Sequence, residues 1–246
     1  MYNISMSENK KAETKQNKTI IKFDGVSKVY KGDFLALENI NLEIQEGEFI
    51  SIVGQSGSGK STLLKLIYAE ERATAGEVYF NDQLLNNISR GKLPYHRRDI
   101  GTIFQDFKLL PKKTIYENVA YALEVSGAPK EEIEENVPQI LDIVGLGDKM
   151  QKYPHQLSGG EQQKVAIARA LVHTPMVIVA DEPTGNLDPI SSLEIVELLI
   201  RINKLGTTVI LASHDRDIVD KANKRVIVLE KGRVVADYAR GKYKMS

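Results

Sequence analysis

One glycine-rich segment limits the possible folds of this chain more than any other feature. Residues 54–61 read G-Q-S-G-S-G-K-S, which fits the pattern G-x-x-x-x-G-K-S, and they directly follow the apolar run Phe49–Val53. The pattern predicts a buried strand, then a tight loop, then a helix. Backbone N–H groups in such a loop face phosphate oxygens, and the positive end of the helix favours an anion. The sequence therefore predicts an α/β fold with a phosphate-binding loop at a strand end.

Two side chains of this loop have individual predicted roles. Lys60 is expected to reach the β- and γ-phosphates of a nucleotide, and the Ser61 hydroxyl is expected to bind Mg²⁺. An ordinary glycine–serine turn is the alternative, but a strand before the loop and a helix after it favour the phosphate site. The other residues expected to contact the nucleotide are Gly54, Gln55, Ser56, Gly57, Ser58, Gly59 and Thr62.

Composition excludes several classes of protein. Lysine plus arginine and aspartate plus glutamate both number 33, so a net charge of zero gives no support for nucleic-acid binding. The absence of cysteine excludes disulfides and cysteine-ligated metals. No apolar run approaches the ~20 residues that span a bilayer. Residues 1–18 are polar, and we expect a disordered tail rather than a signal peptide. These features predict a cytoplasmic protein that reaches a membrane only through a partner.

Periodicity divides the chain into a strand-rich part, a helical part and a second alternating part. Short apolar runs predict strands at 20–23, 37–44, 49–53, 77–80 and 100–104. Between 106 and about 163 the pattern becomes helical, with a capping box at Thr114 and a helix that we expect to break or kink near Pro138. Further strands are predicted at 176–180, 207–212 and 225–229. This order indicates a mainly parallel α/β core with an inserted helical subdomain.

Two acidic residues close the most apolar of the predicted strands. Asp181 and Glu182 follow the run Met176–Ala180, whose uninterrupted apolar character is typical of a strand buried on both faces. Ligands of α/β sheets bind at the carboxyl ends of such strands. We expect Asp181 to hold Mg²⁺ through water and Glu182 to act as general base toward the attacking water. Two acids in a solvated turn are the alternative, which the nearby phosphate loop disfavours.

A second candidate anion site begins at Ser158. The run Ser158–Glu161 has the S-x-x-E pattern of a capping box, and the same serine can cap a helix while the helix N-terminus binds an anion. The pattern alone leaves both interpretations open. The complete run L-S-G-G-E-Q-Q-K-V-A-I-A-R-A at 157–170 is much more specific.

This run resembles the signature motif of ATP-binding-cassette (ABC) ATPases, and other motifs of that family occur in the family's order. Tyr30 resembles the aromatic residue that stacks on adenine, and Gln105 resembles a glutamine that binds the metal and takes part in catalysis. Asp188, in the sequence G-N-L-D, resembles the residue of the D-loop, and His214 resembles the switch histidine. The resemblance also implies that Ser158, Gly159 and Gly160 contact the nucleotide. Glu161 stands where the wider family commonly has glutamine.

The resemblance implies a P-loop NTPase fold of the ABC type. It implies a RecA-like, mainly parallel core, an antiparallel β-subdomain and an inserted helical subdomain. We expect a polar tail at 1–18, one ATPase domain at 19–246 and a short C-terminal tail at 238–246. Within that domain, the core comprises 19–105 and 164–237, and the helical subdomain comprises 106–163.

The resemblance also implies a mechanism and partners. Two copies pair head to tail, and each ATP lies between Lys60 of one copy and Ser158 of the other. The implied cofactors are ATP and Mg²⁺, and the implied location is the cytoplasmic face of the cell membrane, on an integral membrane subunit. We expect Phe107, Leu109, Leu110 and Pro111 to form a groove for a helix of that subunit, or else to be buried in the helical insert.

Residues 104–119 and 180–188 resemble a subgroup of the family that performs mechanical work across the membrane. This favours a role in cell division, with lipoprotein release or macrolide export as the alternative. A soluble ABC protein acting on DNA or ribosomes is disfavoured, because paired cassettes, a long coiled coil and a basic face are all lacking. A nucleotide-gated scaffold with incidental turnover is a further alternative.

Overall fold

The chain alternates strands and helices over residues 18–240, which are the residues that the computed structural model describes. Residues 1–17 of the predicted tail at 1–18 and the segment 241–246 lie outside this range. The strands within residues 18–240 are β1 Thr19–Tyr30, β2 Phe34–Gln45, β3 Phe49–Val53, β4 Ala75–Phe80, β5 Gln83–Leu84, β6 Ile100–Phe104, β7 Val177–Asp181, β8 Thr208–Ala212, β9 Arg225–Glu230 and β10 Arg233–Tyr238. The α-helices of the described part of the chain are α1 Lys60–Ile67, α2 Leu93–Arg98, α3 Ile115–Ser126, α4 Lys130–Ile143, α5 Gly159–Leu171, α6 Pro189–Lys204 and α7 Arg216–Ala222. Short 3₁₀ turns occupy Gly147–Lys149 and Pro154–Gln156.

The strands form two sheets. One is antiparallel with the order β2-β1-β4-β5, and the other is mixed with the order β10-β9-β3-β8-β7-β6. In the mixed sheet, β9, β3, β8, β7 and β6 run parallel, and β10 returns antiparallel to β9. The parallel strands place their carboxyl ends on one edge, where β3 leads directly into the glycine-rich loop.

The central strands β3, β7 and β8 of the six-stranded sheet are buried on both faces, and this explains their mainly apolar sequences. Alternate residues of one strand enter different hydrophobic clusters. Ile50 and Ile52 pack with β1, β2, β4 and α1, whereas Phe49 joins the cluster that contains helices α3, α4, α5 and α6. Val177 and Ile178 of β7 divide between the two clusters in the same way. The sheet is therefore the middle layer between the antiparallel sheet with α1 on one side and the helices on the other.

The predicted helical insert shares its hydrophobic core with the parallel sheet. Buried side chains of α3 and α4, such as Val119 and Leu141, belong to the same cluster as Ile167 of α5 and Ile178 of β7. The predicted subdomain boundary at 164 falls inside α5, and β6 ends at 104, next to the predicted boundary at 105. The division of the domain into core and insert remains a prediction.

Helix α4 is continuous through Pro138, so the break predicted there is wrong, and the alternative, a kink, stays a prediction. Proline removes one hydrogen bond to the carbonyl four residues earlier, here that of Glu134. Glu134 is an exposed residue, and a carbonyl on the solvent side of a helix can bond to water instead. Burial of Val137 and Leu141 on the opposite face holds the helix together.

Candidate active site

A cavity of about 570 Å³ opens at the carboxyl edge of the parallel sheet. The glycine-rich loop 54–62 forms much of its wall, and Gln105, Glu182 and His214 complete it from the ends of β6, β7 and β8. These are the ends at which α/β sheets bind their ligands. Four separate sequence motifs therefore meet in one cavity.

The glycine-rich loop requires glycine at positions where its backbone approaches other chain segments. Gly59 precedes α1 with φ 107°, in a region that favours glycine, and a Cβ there would lie 2.8 Å from the Ala36 carbonyl oxygen. A Cβ at Gly54 would lie 2.3 Å from the Leu229 carbonyl oxygen. The loop is consequently clamped between β2 and β9, and its position is fixed before any ligand binds.

The buried side chain of Lys60 lies against the backbone of the glycine-rich loop. Its Nζ donates to the Gly54 carbonyl oxygen at 2.8 Å and to the Gln55 carbonyl oxygen at 3.3 Å. The Glu182 Oε1 lies 3.6 Å from the same ammonium group. The positive charge is thus held at the floor of the cavity by groups that leave the cavity itself accessible.

Asp181 is a desolvated carboxylate at the end of β7. Its Oδ1 is buried and has no hydrogen-bond partner in the described structure. Burial raises the pKa of Asp181 above its ordinary value, and a hydrogen bond with the Ser61 hydroxyl partly offsets this effect. An unpartnered buried carboxylate oxygen next to a hydroxyl is a suitable environment for a hard cation such as Mg²⁺.

Glu182 is held in a strained backbone conformation, with φ 50°. Its amide donates to the Ala212 carbonyl oxygen at 3.0 Å, which joins the ends of β7 and β8. The Oε2 atom lies 2.9 Å from Nδ1 of His214, while Oε1 faces Lys60. The His214 side chain is 68% exposed, whereas that of Glu182 is 18% exposed. The glutamate is therefore fixed between two basic groups at the cavity wall.

Gln105 is tied to Asn186 by a pair of reciprocal hydrogen bonds. Its Nε2 donates to the Asn186 Oδ1 at 3.1 Å, and the Asn186 Nδ2 donates to the Gln105 carbonyl oxygen at 3.0 Å. Gly185 is packed against the same side chain, because a Cβ there would lie 2.7 Å from Nε2 of Gln105. These contacts join the segment after β6 to the segment between Glu182 and Asp188.

The remaining predicted nucleotide contacts lie together but outside the cavity. Ser158 caps α5 by accepting from the Glu161 amide at 3.3 Å, and Glu161 accepts from the Ser158 amide at 2.9 Å. A Cβ at Gly160 would lie 2.9 Å from Oγ of Ser191, which in turn donates to Asp188 at 2.6 Å. Asp188 also caps α6. Ser158 and Asp188 are both exposed, so this surface is open to a ligand that a second molecule presents.

Tyr30 does not line the cavity, and a second aromatic residue does. The Lys28 ammonium lies 4.8 Å from the centre of the Tyr30 ring. Phe34 lines the cavity and is 60% exposed. The two residues are paired across the β1–β2 hairpin. Sequence reasoning missed Phe34 because it started the second strand at Leu37, although a large exposed aromatic at a strand start was a usable signal.

Comparison with known proteins identifies the family. The sequence model of the family described as ABC transporter matches residues 37–185, which is more than half of the chain. The chain belongs to the ABC transporter family. This confirms the predicted family and fold class, and it confirms that the protein is an ATPase. Within residues 18–240, no helix combines the length and the apolar character needed to cross a membrane.

Relatives of this ABC ATPase are similar over almost their whole length. The cell division ATP-binding protein FtsE of Bacillus subtilis is 49% identical, with 91% of this chain and 98% of the relative covered. FtsE of Mycobacterium tuberculosis is 50% identical, with 92% and 99% covered. Among solved structures, cbiO1 of Clostridium perfringens, part of the ABC transporter complex cbiONQ, has a TM-score of 0.84 at 34% identity over 90% of this chain and 89% of that one. A dimeric cassette, MJ0796, bound to ADP and Pi, has a TM-score of 0.81 at 40% identity over 90% of this chain and all of that one.

Proposed function

We propose that this ABC ATPase is the nucleotide-hydrolysing subunit of a membrane complex that acts in cell division, with an integral membrane subunit of the FtsX type as its partner. The identity to FtsE proteins, 48–50% over nearly the full length of several of them, carries this proposal. It favours cell division over lipoprotein release or macrolide export. The same proposal places the protein on the cytoplasmic face of the membrane, attached through its partner.

The loop residues provide the triphosphate site. Lys60 exchanges its bonds to the Gly54 and Gln55 carbonyls for bonds to phosphate oxygens, a short movement since its Nζ already lies at the loop. The amides of the loop and the N-terminus of α1 favour the anion. Phe34 and Tyr30 stand on the hairpin that borders this site and are the aromatic candidates for contact with the base.

The cation site is formed by Ser61, Gln105 and Asp181. These residues fit Mg²⁺, because they offer a hydroxyl, an amide and a buried carboxylate oxygen that has no partner among residues 18–240. When bound, Mg²⁺ neutralises charge that develops on the transferred phosphoryl group. Ser61 contributes its hydroxyl oxygen, Asp181 acts through a water, and Asn186 holds the amide of Gln105 at the cavity wall.

Glu182 is the general base in this proposal. The carboxylate accepts a proton from the attacking water, and His214 holds its Oε2 at 2.9 Å so that the group keeps one orientation. Lys60 at 3.6 Å balances its charge before the phosphate arrives. The strained backbone of Glu182 and its bond to β8 keep this geometry rigid.

The surface formed by Ser158, Gly159, Gly160 and Asp188 completes the site of a second copy. Since these residues lie outside the cavity of their own chain, they contact the nucleotide only if it is presented by a partner molecule. The first turn of α5 supplies N–H groups to the triphosphate from the side opposite the glycine-rich loop. ATP thereby favours the closed dimer, and hydrolysis removes that preference.

A second cavity, of about 440 Å³, is the proposed docking groove for the membrane subunit. Its walls carry apolar groups at Leu110 and Tyr121 and positive charges at Arg97, Arg98 and Lys108. This composition suits an amphipathic helix with acidic side chains. Of the four residues expected to form such a groove, only Leu110 lines it; Leu109 packs on the helical core and Phe107 lies near Gly159.

The docking groove is mechanically linked to the active site. Arg169 donates to the Phe107 and Lys108 carbonyl oxygens, and Asn118 accepts from the Leu110 amide at 2.7 Å. The chain from Gln105 to Leu110 is therefore held as one segment whose two ends lie at the cation site and in the groove. Movement of the docked helix would therefore displace Gln105.

Purification from membranes tests the proposed function. The wild-type protein should retain an integral membrane subunit of the FtsX type, and the Tyr121→Ser variant should lose most of it. Val125→Ser is the matched control, because Val125 is on the same helix and is 69% exposed but does not line the groove. Recovery of a lipoprotein-release permease with the wild type would contradict the cell-division role. Equal retention by both variants would contradict the groove.

A further inference from the structure

An ion pair sits directly behind the N-terminus of α5. Lys149, in the 3₁₀ turn Gly147–Lys149, forms a hydrogen-bonded salt bridge with Glu161 in the first turn of the helix. The two side chains are 37% and 25% exposed. In the described part of the chain, this salt bridge connects the 3₁₀ turn to α5, the helix that Ser158 caps.

Glu161 places a negative charge where the proposed function requires an anion to bind. Its Oε2 accepts the Ser158 amide at 2.9 Å, so the carboxylate lies against the residue that would meet the partner's triphosphate. A carboxylate stabilises the N-terminus of its own helix, but it repels another anion that approaches the same end. Glu161 therefore stabilises the Ser158 cap, but its negative charge also repels the triphosphate that would bind there.

Lys149 is placed so that its positive charge offsets the negative charge of Glu161. Its ammonium contacts Oε1 of Glu161, while Oε2 remains bonded to the Ser158 amide. The cap keeps its geometry, and the net charge of the pair is zero. The amides of Gly159 and Gly160, in the first helical turn, stay available as donors toward a phosphate.

We propose that Lys149 is a positioning residue of the composite site: it neutralises Glu161 and so allows the Ser158 end of α5 to accept the triphosphate held by the other copy. This inference rests on the proposed two-copy arrangement. The mutual pKa shifts support the pair, since the Lys149 ammonium lowers the pKa of Glu161 and the Glu161 carboxylate raises the pKa of Lys149.

A purely structural role for the pair makes a different prediction. If Lys149 only fastens the 3₁₀ turn to α5, then removing Glu161 in addition to Lys149 leaves the turn equally unfastened. If Lys149 offsets charge, then removing the carboxylate repairs the loss of the ammonium. Glu161→Gln keeps a side-chain oxygen that can accept the Ser158 amide, so the cap is retained.

The test measures dimer formation with Mg-ATP in a Glu182→Gln background, by size-exclusion chromatography with light scattering over a range of ATP concentrations. Lys149→Met should raise the ATP concentration for half-dimerisation about 10-fold, because the Glu161 carboxylate is then left unpaired beside the incoming triphosphate. Lys149→Arg and the double variant Lys149→Met, Glu161→Gln should both stay close to the parent. Lys152→Met controls for the loss of one nearby positive charge, and thermal unfolding confirms that every variant folds.

The possible outcomes distinguish a failure of the proposed two-copy function from a failure of the role inferred for Lys149. If the parent does not dimerise with Mg-ATP, the proposed two-copy function fails, and the inference fails with it. If the parent dimerises but Lys149→Met requires no more ATP, or if the double variant is as impaired as Lys149→Met, the inference alone is wrong.

Discussion

The contact between Gly185 and Gln105 yields a prediction in which the Mg²⁺ requirement of ATP hydrolysis changes while thermal stability changes little. In Gly185→Ala, the new Cβ would lie 2.7 Å from Nε2 and 2.9 Å from Cδ of Gln105. Real Cβ atoms do not approach so closely, so the end of the Gln105 side chain must move. That movement breaks the 3.1 Å bond to Asn186.

The cost to folding is small. One exposed hydrogen bond contributes at most ~1 kcal/mol net, and the glutamine end is flexible. For a domain of this size, ~1 kcal/mol shifts the thermal midpoint by about 2–4 °C. The effect on Mg²⁺ should be larger, because loss of an orienting partner behind a metal site typically costs 10–100-fold in metal affinity or activity.

The assay is ATP hydrolysis at fixed ATP over a series of free Mg²⁺ concentrations, with thermal unfolding measured on the same samples. Gly185→Ala should fold normally and require roughly 10-fold or more Mg²⁺. Gly91→Ala is the matched control, because a Cβ there meets nothing within 4 Å. A Gly185→Ala protein that folds normally and has an unchanged Mg²⁺ requirement would refute the idea that Asn186 and Gly185 position Gln105 for the cation.

Two further predictions concern the phosphate and cation sites. Lys60→Ala should weaken ATP binding by ~10-fold or more, measured by calorimetry, because it removes a charge-assisted contact to phosphate; unchanged affinity would exclude that contact. Asp181→Asn should raise the thermal midpoint of the ATP-free protein at pH 7, while abolishing the Mg²⁺ dependence of ATP hydrolysis. The sign follows because the pKa of Asp181 is raised by burial, so its charged form costs stability at neutral pH and this cost fades as the pH falls toward the unfolded-state value of 3.8. A lower thermal midpoint of Asp181→Asn at pH 7 would contradict the idea that the buried charge of Asp181 lowers stability.

The core of the fold was predictable because burial leaves a clear pattern. Strands β3 and β6 have the predicted bounds, since each mainly apolar segment is flanked by polar or glycine residues. The capping boxes at Thr114 and Ser158 both form as predicted. Here the local sequence and the tertiary structure favour the same conformation.

The elements that were missed are short or exposed. Strand β10 has mostly exposed or half-buried residues, β5 has two residues and α2 has six, so none of them carries a clear apolar period. The predicted break at Pro138 of α4 is wrong, because burial of Val137 and Leu141 outweighs the lost hydrogen bond. Tertiary packing decided each of these cases.

The candidate site was partly predictable. The motifs indicated that the glycine-rich loop, Glu182 and His214 would meet, and the structure places them around one cavity. The reciprocal bonds between Gln105 and Asn186 join residues 81 positions apart, and no sequence pattern specified them. The same holds for Lys149 and Glu161, whose pairing depends on how the 3₁₀ turn lies against α5. The chemical roles of these residues remain predictions.

Mixing two inactive variants tests the shared nucleotide site most directly. In a Glu182→Gln background, Lys60→Ala and Ser158→Ala each damage both sites of a symmetric dimer. A mixed dimer has one intact site, made of Lys60 from one copy and Ser158 from the other. Retention of labelled ATP after size exclusion should therefore be negligible for each variant alone and recover to roughly a quarter of the parent in the mixture, since half of the dimers are mixed and each has one intact site of two. If the mixture retains no more ATP than the separate variants, the two residues do not meet on one nucleotide.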